Sequence, residues 1–363
     1  MQKKYTYLFI YLIFIGLFTS CYLVKQGYHQ LDLMNNKKPF SKVLSDPKIS
    51  IKTKRKINIV RLVKYFATKE LGLNNTDSYN YFININRKYV AYNLSAAYKD
   101  KLKPVTWQFP IIGRVPYLGF FELGDAIKEE AELKKKHFDT NLRGIPAYST
   151  LGFFGDPLLS TMIKYPDSVL INIIIHEMTH ETIYIRNNMR FNEALASFIA
   201  NKGTILFLEK YYGKNSKLIQ FTKNLDSDDL IFSNYINRLV LELDLFYKQS
   251  ISREKKIKMR KLIFNKSQRY FKTNILPKLK TKVYNNFHKI KLNNAIILSL
   301  RRYNQNIMVF EKVYLLLNED LRKTIKFFKR FNSLNANPLK YTYFWIKLQN
   351  KKKSLKDASQ RSR

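Results

Sequence analysis

Cysteine is nearly absent from this 363-residue chain, occurring once, at Cys21. An intrachain disulfide is therefore excluded, and the fold must be held by packing, hydrogen bonds and any bound ion. Acidic residues are scarce as well: 27 Asp+Glu stand against 65 Lys+Arg, a formal net charge of +38. Such a field draws anionic partners, either a membrane surface or nucleic acid, although charge alone defines no site. No repeat of about 20–50 residues is visible. Beyond the N-terminus no segment is long and apolar enough to span a bilayer, which takes ~20 residues. What is present is a folding composition, 45% hydrophobic and 15% aromatic. The length suffices for one large domain or two modest ones.

The lone cysteine stands where a hydrophobic run ends. Lys3 and Lys4 precede a largely apolar stretch from Tyr5 to Phe18, too short for a spanning helix and suited to a signal-peptide core. Phe18-Thr19-Ser20-Cys21 then resembles the lipobox of bacterial lipoproteins, with Phe18 where leucine is usual. Cys21 is thus the expected lipid attachment point. Tyr22 follows it where an aspartate commonly marks inner-membrane retention, so that resemblance implies the outer membrane, facing the periplasm.

Periodicity divides the rest. Tyr22 to about Lys48 is polar and mixed and reads as a tether. Ile51 to Leu73 has helical spacing and ends near Gly72. Tyr89 to Tyr98 and Val105 to Phe121 are β-branched and aromatic, the latter broken by Pro110, Gly113 and Pro116, and predict strands with turns. Leu123 to Lys136 returns to a helical pattern. Val169 to about Tyr184 predicts a buried helix with Asp167 as its cap. A turn at Arg186-Asn187-Asn188 leads to a second helix, Phe191 to Leu208. From Asp226, read as a cap with Asp228 and Asp229 in a first turn, everything looks helical and carries most of the basic excess. The division expected is a signal peptide over 1–20, a lipid-anchored tether over 21–50, a catalytic part over 51–215, a helical part over 216–350 and a disordered basic tail over 351–363. The fold class is α+β, with a small mixed β-sheet.

One cluster carries chemistry. In His176-Glu177-Met178-Thr179-His180 the histidines are four apart, so on a helix both imidazoles share one face and can reach a single tetrahedral Zn²⁺. Glu177 would lie beside such an ion, placed to accept a proton from water. The chain holds only five histidines; His29, His137 and His288 have no paired ligands nearby. A catalytic zinc takes a third protein ligand, and Glu193, in the first turn of the second helix, is the candidate. Its alternative reading is a helix-start carboxylate favoured by the helix dipole.

The chain resembles the predicted-aminopeptidase lipoproteins of Gram-negative bacteria from Cys21 to about Leu334. The resemblance rests on Trp107-Gln108-Phe109-Pro110, Tyr117-Leu118-Gly119-Phe120-Phe121, Tyr148 to Phe154, Asp156 to Met162, the two helices around the histidines, and Leu292-Asn293-Asn294-Ala295 with Tyr303. It implies a zincin-like metallopeptidase with one zinc per chain, acting on a peptide or protein. By analogy with zincins, Tyr148, Ser149, Thr150 and Gly152 are candidates for a substrate-pairing strand, and Tyr303, or else Tyr148, for the donor that stabilises the transition state. Glu122 is an acid near a strand end that an amino terminus could meet. Arg253 to Lys261, and Arg322, Lys323, Lys326, Lys329 and Arg330, are candidates for a basic face toward lipid. The competing function is a non-catalytic basic envelope lipoprotein with a vestigial metal site. Nucleic acid is not expected as a partner, since no aromatic–glycine motif or finger spacing accompanies the charge.

Overall fold

The computed structural model describes residues 22–109, 113–145, 147, 155–304, 307–333 and 337–361. It is α+β: small sheets, long helices and a helical C-terminal part. Residues 22–50, expected as a tether, are folded onto the protein. They are helical over 22–35, then form β1 (Lys38–Pro39) and α1 (Phe40–Ser45). The Tyr22 hydroxyl donates to Gly119 O at 2.6 Å, Gln26 accepts from Phe121 N at 3.1 Å, and Phe40 and Val43 are buried.

α2 (Ile51–Phe66) begins at Ser50, whose side chain accepts from Thr53 N. Ile57, Val60 and Val63 recur at helical spacing and are fully buried. A wide turn, Ala67–Leu71, closes at Gly72, whose φ of +80° suits a residue without a Cβ. Two small three-stranded sheets and a hairpin follow; the small mixed sheet expected is one of them, and the stretch read as strands over 105–121 forms three strands of three residues each. β2 (Tyr81–Ile83) pairs antiparallel with β1 and parallel with β8 (Leu158–Leu159). β3 (Ala91–Ala97) lies between β6 (Leu118–Phe120) and β7 (Asp139–Ile145), antiparallel to both. β4 (Trp107–Phe109) and β5 (Gly113–Val115) form the hairpin. α3 (Leu123–Lys135) covers the β3 sheet with Ala126 and Leu133.

The main core is built on two adjacent helices, α4 (Asp167–Thr182) and α5 (Met189–Tyr211). Ile171, Ile174, Ile175, Phe198 and Phe207 are among its fully or almost fully buried residues, each worth roughly 1.5–3 kcal/mol relative to exposure. Asp167 does not cap α4. Pro166 holds that position, and the Asp167 carboxylate instead pairs with Arg55 and with Lys56 at 2.8 Å.

α6 (Lys217–Tyr247) starts ten residues before the expected cap, at Ser216, whose hydroxyl accepts from Ile219 N. Asp226, Asp228 and Asp229 therefore sit inside it, with their charge used elsewhere. Buried Asp228 accepts from Lys280 N, Thr281 N and the Thr281 hydroxyl at 2.7–2.8 Å. α7 (Arg253–Tyr270) and α8 (Asn294–Asn304) pack on α6 around a second core of Phe232, Ile236, Leu243 and Phe271. This bundle is joined to the β3 sheet by a buried pair, Arg260 Nη1 to Asp139 Oδ2 at 2.5 Å, to which Asn294 N adds a bond at 2.9 Å. α9 (Ile307–Leu316), α10 (Leu321–Lys329) and α11 (Pro338–Arg361) return to the first core. α11 runs helical through the expected disordered tail, as far as Arg361, because no glycine or proline interrupts its Lys, Leu and Gln. No helix among the described residues is long and apolar enough to cross a membrane.

Candidate metal centre

The histidine motif occupies the last turns of α4. His176 Nε2 and His180 Nε2 lie 3.1 Å apart, with their rings nearly perpendicular at 83°. Glu193, in the first turn of α5, brings Oε2 to 3.5 Å from His176 Nε2 and 3.8 Å from His180 Nε2. The edges of a tetrahedron with bonds of about 2.0–2.1 Å measure about 3.3 Å, and the three separations bracket that value. Two neutral imidazoles and one carboxylate are also a donor set of the kind zinc takes, so the residues fit the ion. The three are the group of His, Cys, Asp and Glu side chains that converges tightly enough for a metal among the described residues.

The reversal between the helices has a local cause. α4 ends as Ile183 turns extended, and Asn187 takes a left-handed φ of +62°, which asparagine tolerates better than most residues. Asn192, 1% exposed, accepts from Ile185 N at 3.0 Å and donates to Ile185 O at 2.9 Å. The turn is thus clamped to α5 by the residue next to Glu193. Asn332 clamps it from outside, donating to Thr182 O at 2.9 Å and accepting from Tyr184 N at 3.1 Å.

Electrostatics separate the two glutamates. Burial alone would raise Glu193, but hydrogen bonds to His176 and His180 outweigh it and hold the carboxyl well below its usual range. Glu177 is not one of the converging donors. Burial pushes its carboxyl up to about 7, against the pull of His176 and with help from Glu193, Asp156 and Glu181. Glu181, raised by burial, accepts from the Thr76 hydroxyl. Tyr79 completes this side. It is buried, holds a φ of +60°, and donates its N–H to Asp156 O at 2.7 Å.

The other expected site residues are dispersed or undescribed. Cys21, Tyr148, Ser149, Thr150 and Gly152 lie outside the described residues. Tyr303 is in the last turn of α8, but its side chain is outside them too. Glu122 pairs with Arg87 at 3.2 Å and is not one of the converging donors. Sequence reasoning missed a cavity of about 650 Å³ beside the turn, lined by Thr106, Gln108, Arg114, Asn187, Asn188 and Arg190 among others. The signal available was Arg190, three residues before Glu193. It also missed how the hairpin reaches the turn: Arg114 N donates to Asn187 Oδ1 at 3.0 Å. A Cβ at Gly113, whose φ is +78°, would sit 2.3 Å from that same oxygen, so only glycine allows the approach.

The family model described as "Putative aminopeptidase" matches residues 21–341, and the chain belongs to that family. No curated protein and no solved structure matches it.

Proposed function

We propose that this chain is an exported, lipid-anchored zinc metallopeptidase, with Zn²⁺ held by His176, His180 and Glu193. The observation that carries the reading is the convergence of those three donors on one point. Zinc, when bound, supplies a Lewis acid that activates water and polarises a peptide carbonyl. Glu177 takes the proton of the attacking water and delivers it to the leaving amine. Its raised carboxyl suits a group that must both accept and return a proton near neutral pH. Glu193 stays ionised beneath the imidazoles. The zincin-like fold belongs to the same reading, as does attachment to the outer membrane through Cys21.

Negative charge builds on the carbonyl oxygen in the transition state, and a donor from a separate element stabilises it. Tyr303 is our candidate, because α8 packs against the helix bearing Glu193. Tyr303→Phe is expected to lower kcat ~10²-fold with zinc retained; a slow Tyr148→Phe beside a normal Tyr303→Phe would move the role to Tyr148.

The deciding experiment is metal analysis of the purified mature chain, followed by peptide-library cleavage read by mass spectrometry. One zinc per chain is expected. A His176→Ala/His180→Ala variant that keeps its full zinc, or an intact protein that cleaves nothing when zinc-loaded, sinks the reading.

A further inference from the structure

The cavity beside the turn has one chemical character. Its walls come from the β4–β5 hairpin (Gln108 and Arg114, with Thr106 and Pro116 flanking), from Asn187 to Phe191 at the start of α5, and from Asn337 to Leu339 at the start of α11. Among the described residues no Asp or Glu lines it, and neither does a lysine, although lysine is much the commoner base in the chain. Both guanidiniums, Arg114 and Arg190, are without an ion pair among the described residues. Segments 110–112, 305–306 and 334–336 contain no acidic residue that could supply one.

More positive charge stands behind. Arg302 is 3% exposed and sits 5.0 Å from the Tyr117 ring centre, next in sequence to the cavity-lining Pro116. Its Nη1 is buried with no hydrogen-bond partner among the described residues, and so is Nε of Arg301. Arg301 reaches Asp244 at 4.0 Å, yet burial, reinforced by the charge of Arg190, still holds its guanidinium below its usual range. Arg302 has no carboxylate partner among the described residues; a buried cation without counter-charge is costly, and a bound anion would relieve that cost. The first turn of α5 adds to the same field. Asn188 is its N-cap without a side-chain cap bond, and Asn188 to Phe191 line the cavity, so the positive end of the helix dipole lies beside it.

We propose that this cavity is a carboxylate-binding subsite of the peptidase, selecting peptides whose free C-terminal carboxylate or acidic side chain reaches the arginines. This rests on the metallopeptidase reading above. Exposed Arg190 and buried Glu193 are three residues apart on one helix, a rise of about 4.5 Å. An extended peptide advances about 3.3–3.6 Å per residue, so a carboxylate at Arg190 lies within a few residues of a carbonyl at the metal. Arginine suits the task because its planar fork matches a carboxylate bidentately. The volume exceeds one carboxylate and admits a terminal residue with it.

The test uses the full zinc-loaded chain and matched peptides. One pair differs in a C-terminal acid or amide, the other in internal Asp/Glu or Asn/Gln. We expect kcat/KM to favour at least one carboxylate form ~10-fold or more, mainly through KM. Which pair shows the preference tells the C-terminal from the side-chain source. In Arg114→Ala and Arg190→Ala, which should keep one zinc per chain, the paired forms should come within about two-fold of each other, as expected when a single charge-assisted bond is lost. Equal cleavage within both pairs by the wild-type chain overturns the proposal. If no peptide is cleaved, the metallopeptidase reading fails on its own. Calorimetric binding of the same pairs to Glu177→Gln then decides: a carboxylate preference abolished by the two arginine variants supports the subsite, and equal affinities overturn it.

Discussion

At the scale of single residues, spacing and environment separate neighbours of similar type. His176 and His180 could be read from sequence, because an i,i+4 pair on an apolar helix has one geometric consequence. Glu193 could be read because its helix follows a short turn. The differing states of Glu177 and Glu193 could not, since each depends on what surrounds it in three dimensions. That difference has a measurable consequence. Glu177→Gln is expected to keep zinc while hydrolysis falls ~10²–10⁴-fold, because the carboxylate serves as a base and not as a ligand. Its folded carboxyl is raised to about 7. Its contribution to stability in the metal-free chain is therefore full below the unfolded carboxylate range and is lost as pH rises toward 7. Metal-free wild type should lose roughly 1–3 kcal/mol relative to Glu177→Gln between pH 4.5 and 8, read by urea unfolding. Parallel stability profiles for the two proteins would contradict the assignment of burial to this group.

At the scale of elements, the long helices and the strands β3 and β6 were legible from periodicity, whereas their ends were not, and β7 (Asp139–Ile145), the longest partner of β3, was not read as a strand at all. Asp167 and Asp226 have the residue type of caps, and each is drawn instead to a partner distant in sequence. Arg55 and Lys56 hold Asp167, and Lys202 takes Asp226 at 3.1 Å. Local propensity cannot see such competition. Asn192 illustrates the reverse case, a residue whose sequence context hides its importance. Its two bonds to Ile185 fix the angle between α4 and α5, and with it the distance from Glu193 to the imidazoles. Asn192→Ala leaves the buried Ile185 N–H unpaired, which costs roughly 1–3 kcal/mol, while Ile185 O keeps its bond from Asn188 N at 3.1 Å. It should also weaken zinc binding ~10–100-fold, as loss of a residue supporting a ligand does. Competition with a chelator measures the affinity. Unchanged zinc affinity in a destabilised Asn192→Ala chain would assign Asn192 to folding alone.

At the scale of the whole molecule, the excess charge and the anchor can be related. Residues 22–35 are bound to the β3 sheet and to the helix α3 that covers it, since Tyr22 reaches Gly119 and Lys25 pairs with Asp125 at 2.7 Å. A lipid on Cys21 would then hold this sheet close to the bilayer. Of the two basic runs, the one on α7 joins the same sheet through Arg260 and Asp139. Asp139 is opposite Ala97, four positions along β3 from Asn93, which is opposite Gly119, a separation of ~13 Å along the strand. Arg260 itself is buried by that pairing and cannot face lipid, but Arg253, Lys255, Lys258 and Lys261 are exposed. The second run, on α10, is exposed but backs onto the other core. We therefore expect the anchored chain to press α7 toward anionic headgroups. Replacing Lys255, Lys258 and Lys261 with Glu should weaken binding of the lipid-free chain to anionic vesicles by more than the same change at Arg322, Lys323 and Lys326. Binding should fall steeply as salt shortens the screening length from ~10 Å at 0.1 M to ~3 Å at 1 M. Equal binding to neutral and anionic vesicles would leave the charge as solvated surface, and a larger loss from the α10 variant would turn the molecule over on the membrane.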